Sequence, residues 1–167
     1  MPWRGPSYPG EVPTLGWSVL EWMAEWLIVP DGPLAGEQLI LTPEQAQFVL
    51  DFYAIDHVTG KRLIRRGVLS RPKGCDKSGM GGRFGLGEAF GPCRFAGFAA
   101  GGEVYRDPWG LGFSYVYEPG EPMGRPVKVP YIRCLATEEG QAGLVYDTIY
   151  FNLTEGRLAA VDGVDAG

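Results

Sequence analysis

The chain has 167 residues, a net charge of −5 and 45% hydrophobic residues, enough for one domain with a modest core. Its 26 glycines and 14 prolines, near a quarter of the chain, approach the level at which low-complexity behaviour sets in. Cys75, Cys93 and Cys134 are widely spaced and odd in number, which argues against a disulfide framework or a zinc site, and the lone His57 excludes a His-rich metal centre.

The N-terminal "MPWRGPSYPGEVP" lacks the apolar core of a secretory signal and reads as an irregular arm. Thr14 then caps an expected helix to about Ile28. Leu15, Val19, Trp22, Met23, Trp26 and Leu27 recur at helical spacing and predict a packed face; three tryptophans there also suit a binding surface. That run is too short to span a bilayer and contains Glu21 and Glu25, so no membrane association is expected.

"LTPEQ" opens a second helix, with Thr42 as cap, Pro43 in the first position and Gln45 where a capping box wants Gln. Ala46, Val49, Leu50 and Tyr53 predict its buried face, with an end near 56–60. "RLIRRGVLSRP" predicts a strand over 63–70, followed by the loop "PKGCDKSG". The segment after it holds Gly79, Gly81, Gly82, Gly85 and Gly87. Each interior glycine costs a helix about 1 kcal/mol against alanine, so a helix here is expected to be frayed or absent.

Residues 97–130 show no period and many turn signals, and an irregular stretch is expected. "PYIRCLAT" predicts a second strand. Thr137 then caps a last helix whose Ala142, Val145, Tyr146, Ile149, Tyr150 and Leu153 line one face, with Gly156 closing it. The expected class is α/β: a partial P-loop NTPase-type parallel sheet with N-terminal helices and a long irregular Gly/Pro-rich segment. Residues 1–60 form the arm and helices, and 61–167 an incomplete P-loop ATPase core.

Charge is unevenly spread. Lys61, Arg62, Arg65, Arg66, Arg71, Lys73, Lys77 and Arg83 face only Asp76, giving +7 over 61–83 and −12 elsewhere. Such a block suits an anionic ligand, either a nucleotide phosphate or a nucleic-acid backbone; a solvated basic face is the plainer reading. Within it, "SRPKGCDKSG" outlines a degenerate Walker A loop. Gly74 permits close backbone approach, Lys77 is placed to reach terminal phosphates, and Ser78 to hold a metal. Asp76 occupies the last glycine position, and a carboxylate about 4 Å from a phosphate charge costs about 4 kcal/mol at an effective dielectric near 20. The competing reading is a basic, glycine-rich surface turn. With His57 the sole imidazole, a nucleophilic role for Cys75 is not expected, and no catalytic residue is assigned.

Four blocks, in order, carry a family resemblance: "LTPEQAQFVLDFYAID", "RRGVLSRPKG-x-x-KS", "EAFGPCRFAGF" and "YIRCLATEE-x-QAG-x-VYDTIYFNLTEG". Over roughly residues 40–160, with a diverged stretch near 100–125, the chain resembles the N-terminal ATPase region of phage terminase large subunits, the motors that pump viral DNA into capsids. The family loop commonly reads like "SRPKG-W-G-KS", so Arg71 follows it while Cys75 and Asp76 depart from it. The resemblance implies ATP and Mg2+ as cofactors. It makes Lys77 the phosphate lysine, Ser78 the magnesium ligand, Arg71, Lys73 and Gly74 the rest of the loop, and Gln45 an adenine contact, beside its capping-box role. It implies DNA, a portal and a small terminase subunit as partners, and the host cytoplasm as the location.

The family's second ATPase motif, an apolar run ending in Asp-Glu (Walker B), is absent: "LAAVDG" lacks the Glu and comes too early, and no nuclease carboxylate cluster follows. Hydrolysis by this chain alone is therefore not expected, and a companion chain carrying the rest of the ATPase and nuclease is implied. The alternative is a non-enzymatic DNA- or protein-binding module derived from a P-loop ATPase. A marginally folded product without activity is a third reading.

Overall fold

The computed structural model describes residues 12–136 and 139–163. The helices are α1 (Gly16–Trp26), α2 (Pro43–Phe52), α3 (Lys77–Phe90) and α4 (Glu139–Thr154), with a 3-10 turn at Arg157–Ala160. Four short strands, β1 (Arg94–Phe98), β2 (Val104–Arg106), β3 (Ser114–Val116) and β4 (Pro122–Arg125), lie between α3 and α4. The class is mixed α/β, but both sheets are antiparallel pairs, β1 with β4 and β2 with β3.

The N-terminal reading holds with adjusted ends. Thr14 Oγ1 accepts from Gly16 N at 2.9 Å, although Leu15 is the cap residue of α1. Leu15, Val19, Trp22, Met23, Trp26 and Leu27 are all buried, so the tryptophans of α1 serve the core. The capping box of α2 is complete: Gln45 N donates to Thr42 Oγ1 (3.3 Å) and Thr42 N to Gln45 Oε1 (2.9 Å). Helix α2 stops at Phe52, earlier than expected, because the chain turns at Tyr53 and Ala54 pairs back to Thr14. Tyr53, Val49 and Ala46 are buried.

Three expectations are corrected. Residues 63–70 form no strand: Ile55 bridges Arg62, after which no neighbour offers a ladder, and Val68 is 79% exposed. Residues 131–136 likewise pair with nothing among the described residues, and Leu135 is 84% exposed. A strand is stable only through pairing, and the expected parallel sheet is not formed by these residues. Third, the stretch after β1 is not irregular. Its glycines sit in tight turns between very short strands, as at Gly101 and Gly102, whose φ values of 118° and 87° few other residues adopt. Tyr105 and Tyr115, directly opposite each other in β2 and β3, face inward, and with Phe113 and Tyr117 they join the same core as α1.

Helix α3 is a fourth correction, since it runs 14 residues despite its glycines. They allow close approach to α4. A Cβ on Gly82 would sit 2.7 Å from Thr148 Cβ, one on Gly85 3.1 Å from Ile149 Cδ1, and one on Gly81 3.4 Å from Val145 Cγ2. Packing supplies what propensity withholds. The expected cap Thr137, and Glu138, lie outside the described residues.

The apolar stripe of α4 is only half covered. Its buried positions are Thr148 and Asn152, while Tyr146 and Tyr150 are exposed. Asn152 closes the fold across the sequence: its Oδ1 accepts from Ile28 N at 2.9 Å and its Nδ2 donates to Ile28 O at 3.4 Å.

Candidate functional site

The loop at residues 70–76 leaves the unpaired segment and runs directly into α3. Pro72 O accepts from Cys75 N at 3.3 Å, Gly74 turns at φ 82°, and Asp76 adopts φ 56°, ψ 33°. The left-handed conformation at Asp76 is the one that a glycine would hold at that position, and Asp tolerates it better than most residues. Lys77 and Ser78 are the first two residues of α3. No side chain caps the helix, so its first-turn N–H groups and the positive end of its dipole point out of the helix into the loop.

The sequence-derived residues converge on this loop to different degrees. Lys77 Nζ turns back across it, donating to Arg71 O (2.6 Å) and Pro72 O (3.2 Å). Arg71 ties the loop to α2 through an ion pair with Glu44 and a hydrogen bond from its Nη1 to Cys75 O at 3.4 Å. Lys73 and Gly74 are exposed, and Ser78 is half-buried. Gln45 does two things at once. It completes its capping box, and its Nε2 donates to Asp76 Oδ2 at 3.1 Å. Beside it a cleft of about 240 Å³ opens, lined by Gln45, Phe48, Asp51, Leu69, Arg71 and Met80.

Sequence reasoning missed Arg83. It is buried on α3 and pairs with Asp76 Oδ2. The two residues are seven apart, two helical turns on one face, a spacing legible only if α3 is taken as a helix. The carboxylate charge that disfavours a phosphate is thus largely matched by its own guanidinium. Asp76 Oδ1 lies against the helix: a Cβ on Gly79 would fall 2.0 Å from it.

A second charged cluster, also missed, sits behind α3. Glu88 pairs with Arg62 and, at 2.7 Å, with Arg94 Nη1, and it accepts from Tyr53 Oη at 3.0 Å. Arg62 stacks over the Phe52 and Tyr53 rings at 5.0 and 4.4 Å. Burial opposes ionisation of Glu88, yet the two guanidiniums outweigh it and hold the carboxyl below its usual range. Burial, reinforced by Glu88, pushes the Cys93 thiol up to about 11. These groups brace the fold rather than line the loop.

Of the basic block, Arg62, Arg71 and Arg83 are therefore neutralised. Lys61, Arg65, Arg66 and Lys73 are exposed and form no ion pair with the described residues.

The backbone turn and open helix head are of a kind that receives anions, while Lys77 Nζ is engaged by the loop's own carbonyls and Asp76 adds a negative charge there. For a divalent metal the chain offers Ser78; among the described residues no group of three His, Cys, Asp or Glu side chains is placed to hold one. A larger apolar groove of about 970 Å³ lies between α3, α4 and residues 130–134, lined among others by Leu86, Phe90, Ile132, Tyr146, Ile149 and Leu153. No helix among the described residues is long and apolar enough to cross a membrane.

No protein-family model matches the chain, and no solved structure matches it. It is similar to the Gene 13 protein of Mycobacterium phage L5, 27% identical over 170 residues, covering 91% of this chain and 25% of the relative. It is also similar to the Gene 13 protein of Mycobacterium phage D29, 31% identical over 146 residues, covering 77% of this chain and 21% of the relative. The chain thus spans about a quarter of the length of the curated relatives it matches, and its kinship is with mycobacteriophage proteins.

Proposed function

We propose that the chain is the nucleotide-loop portion of a terminase-like motor that packages viral DNA in the host cytoplasm. The observation that carries this reading is the junction at residues 74–78. Two successive turns in the left-handed region, at Gly74 and Asp76, deliver Lys77 and Ser78 to the open head of α3, with Gln45 bonded to the loop. In this reading Lys77, Gly74, Lys73 and Arg71 surround the phosphates, Ser78 meets Mg2+, and Gln45 beside its cleft faces the base. The bound metal supplies charge neutralisation on the phosphates. Hydrolysis needs acidic groups from elsewhere, on a companion segment that also covers the α3–α4 groove. A portal and a small terminase subunit are the further partners this reading names. The similarity to proteins of two mycobacteriophages supports a viral role.

The test is titration with a fluorescent ATP analogue, with and without magnesium. Lys77→Ala is expected to weaken binding at least tenfold; equal signals from the two proteins overturn the reading.

A second reading, a non-enzymatic nucleic-acid-binding module, is favoured by the exposed Lys61, Arg65, Arg66 and Lys73. Its signature is DNA binding that is steep in salt and indifferent to nucleotide.

A further inference from the structure

The loop carries an anion of its own. Asp76 stands immediately before α3, and its Oδ2 receives Gln45 Nε2 at 3.1 Å and the Arg83 guanidinium. Both donors are buried, they come from two different helices, and Arg83 Nε has no partner. Two donors that water hardly reaches therefore converge on one carboxylate beside an uncapped helix head. Lys77 Nζ is meanwhile occupied by the carbonyls of Arg71 and Pro72.

We propose that Asp76 is a tethered competitor for phosphate, an autoinhibitory contact that keeps the nucleotide loop closed until Arg83 exchanges its carboxylate for a phosphate oxygen and Gln45 is released toward its cleft. This rests on the nucleotide-loop reading and adds its regulation. The physical argument is one of competition. A buried guanidinium demands an anion, and in the closed state Asp76 meets that demand intramolecularly. A ligand must displace it, and the ligand's apparent affinity falls by the fraction of molecules in which it is displaced. Removing the carboxylate leaves Arg83 and Gln45 without their shared acceptor, so an incoming phosphate gains the guanidinium and loses a repulsion, while Gln45 is freed toward its cleft. The family-like glycine at this position would carry no such competitor. The departure at Asp76 therefore reads as a brake on the loop rather than as its decay.

The experiment titrates the 167-residue chain with the fluorescent ATP analogue in magnesium, with inorganic tripolyphosphate as competitor. The proteins are wild type, Lys77→Ala, Asp76→Gly, Asp76→Asn, and each Asp76 variant combined with Lys77→Ala. Glycine adopts φ 56° freely, and asparagine preserves the side-chain volume and tolerates that region. Both single variants are expected to bind at least tenfold more tightly than wild type, and to lose that gain with Lys77→Ala. Equal affinities for wild type and both variants, with wild-type binding still dependent on Lys77, overturn the brake and leave the nucleotide loop standing. A gain that survives Lys77→Ala also overturns it, because the new affinity then lies elsewhere. No binding by any protein overturns the brake and the nucleotide loop together. Should Asp76→Gly lose its near-ultraviolet circular dichroism, Asp76→Asn decides on the same criteria.

Discussion

Glu88 is held by three donors from three parts of the chain: Tyr53 at the end of α2, Arg62 in the connector and Arg94 at the start of β1. Two cations on one carboxylate leave the cluster unbalanced if the carboxylate goes. Glu88→Gln is expected to cost about 2 kcal/mol at pH 7, between the worth of an exposed pair and the penalty of stranding a buried one. The sign with pH follows from the lowered folded pKa. The contribution is complete above the ordinary glutamate value of about 4.3 and disappears as pH falls through the folded value. Urea unfolding of the two proteins should therefore differ at pH 7 and converge as the pH falls below the ordinary glutamate range; a constant gap would refute the assignment. Nothing in the sequence links these four residues, which are brought together only by the fold. Asp76, just before α3, and Arg83 within it could by contrast be paired from their spacing of seven once α3 is taken as a helix. Gln45 was legible in its capping role, while its bond to the loop depends on how α2 lies against α3.

At the scale of elements, α3 shows why composition misleads. Its glycines read as helix breakers because propensity was weighed without a partner. Next to α4 they become a contact surface, and the same residues that weaken an isolated helix permit the close approach that holds this one. Glycines of the two kinds can be told apart by substitution. Gly82→Ala places a methyl 2.7 Å from Thr148 Cβ and is expected to destabilise by about 1–2 kcal/mol, since overpacking outweighs the propensity gain of about 1 kcal/mol. Gly143 on α4 has open space around it, and Gly143→Ala should stabilise by about 0.5–1 kcal/mol. Thermal unfolding reads both, and equal shifts in the same direction would rule out close packing as the cause. The strands β1 to β4 were illegible for a related reason. They are three to five residues long, too short for alternation to rise above their turn residues.

For the molecule as a whole, the apolar residues at 63–70, which flank a basic centre, and at 130–137 predicted two strands, and residues 63–70 and 131–136 form none. Val68, Leu135, Tyr146 and Tyr150 remain exposed, and the α3–α4 groove is open along the same side as Ile132. Apolarity records that a surface is to be covered; the identity of the cover is encoded in the cover. Charge is the other global feature. Lys61, Arg65, Arg66 and Lys73 project from a chain whose net charge is −5, so any DNA attraction must be local. If these four each neutralise a phosphate, log affinity should fall with log salt at a slope of about −3 to −4. Replacing all four by alanine should flatten it. Binding absent at low salt, or a slope untouched by the substitutions, removes the nucleic-acid reading.

The bond between Asn152 and Ile28 joins residues 124 positions apart. During synthesis on the ribosome, α1 and the bend after it emerge long before the amide that secures them. The Ile28 peptide group therefore stays hydrated until Asn152, 124 residues later, has cleared the exit tunnel.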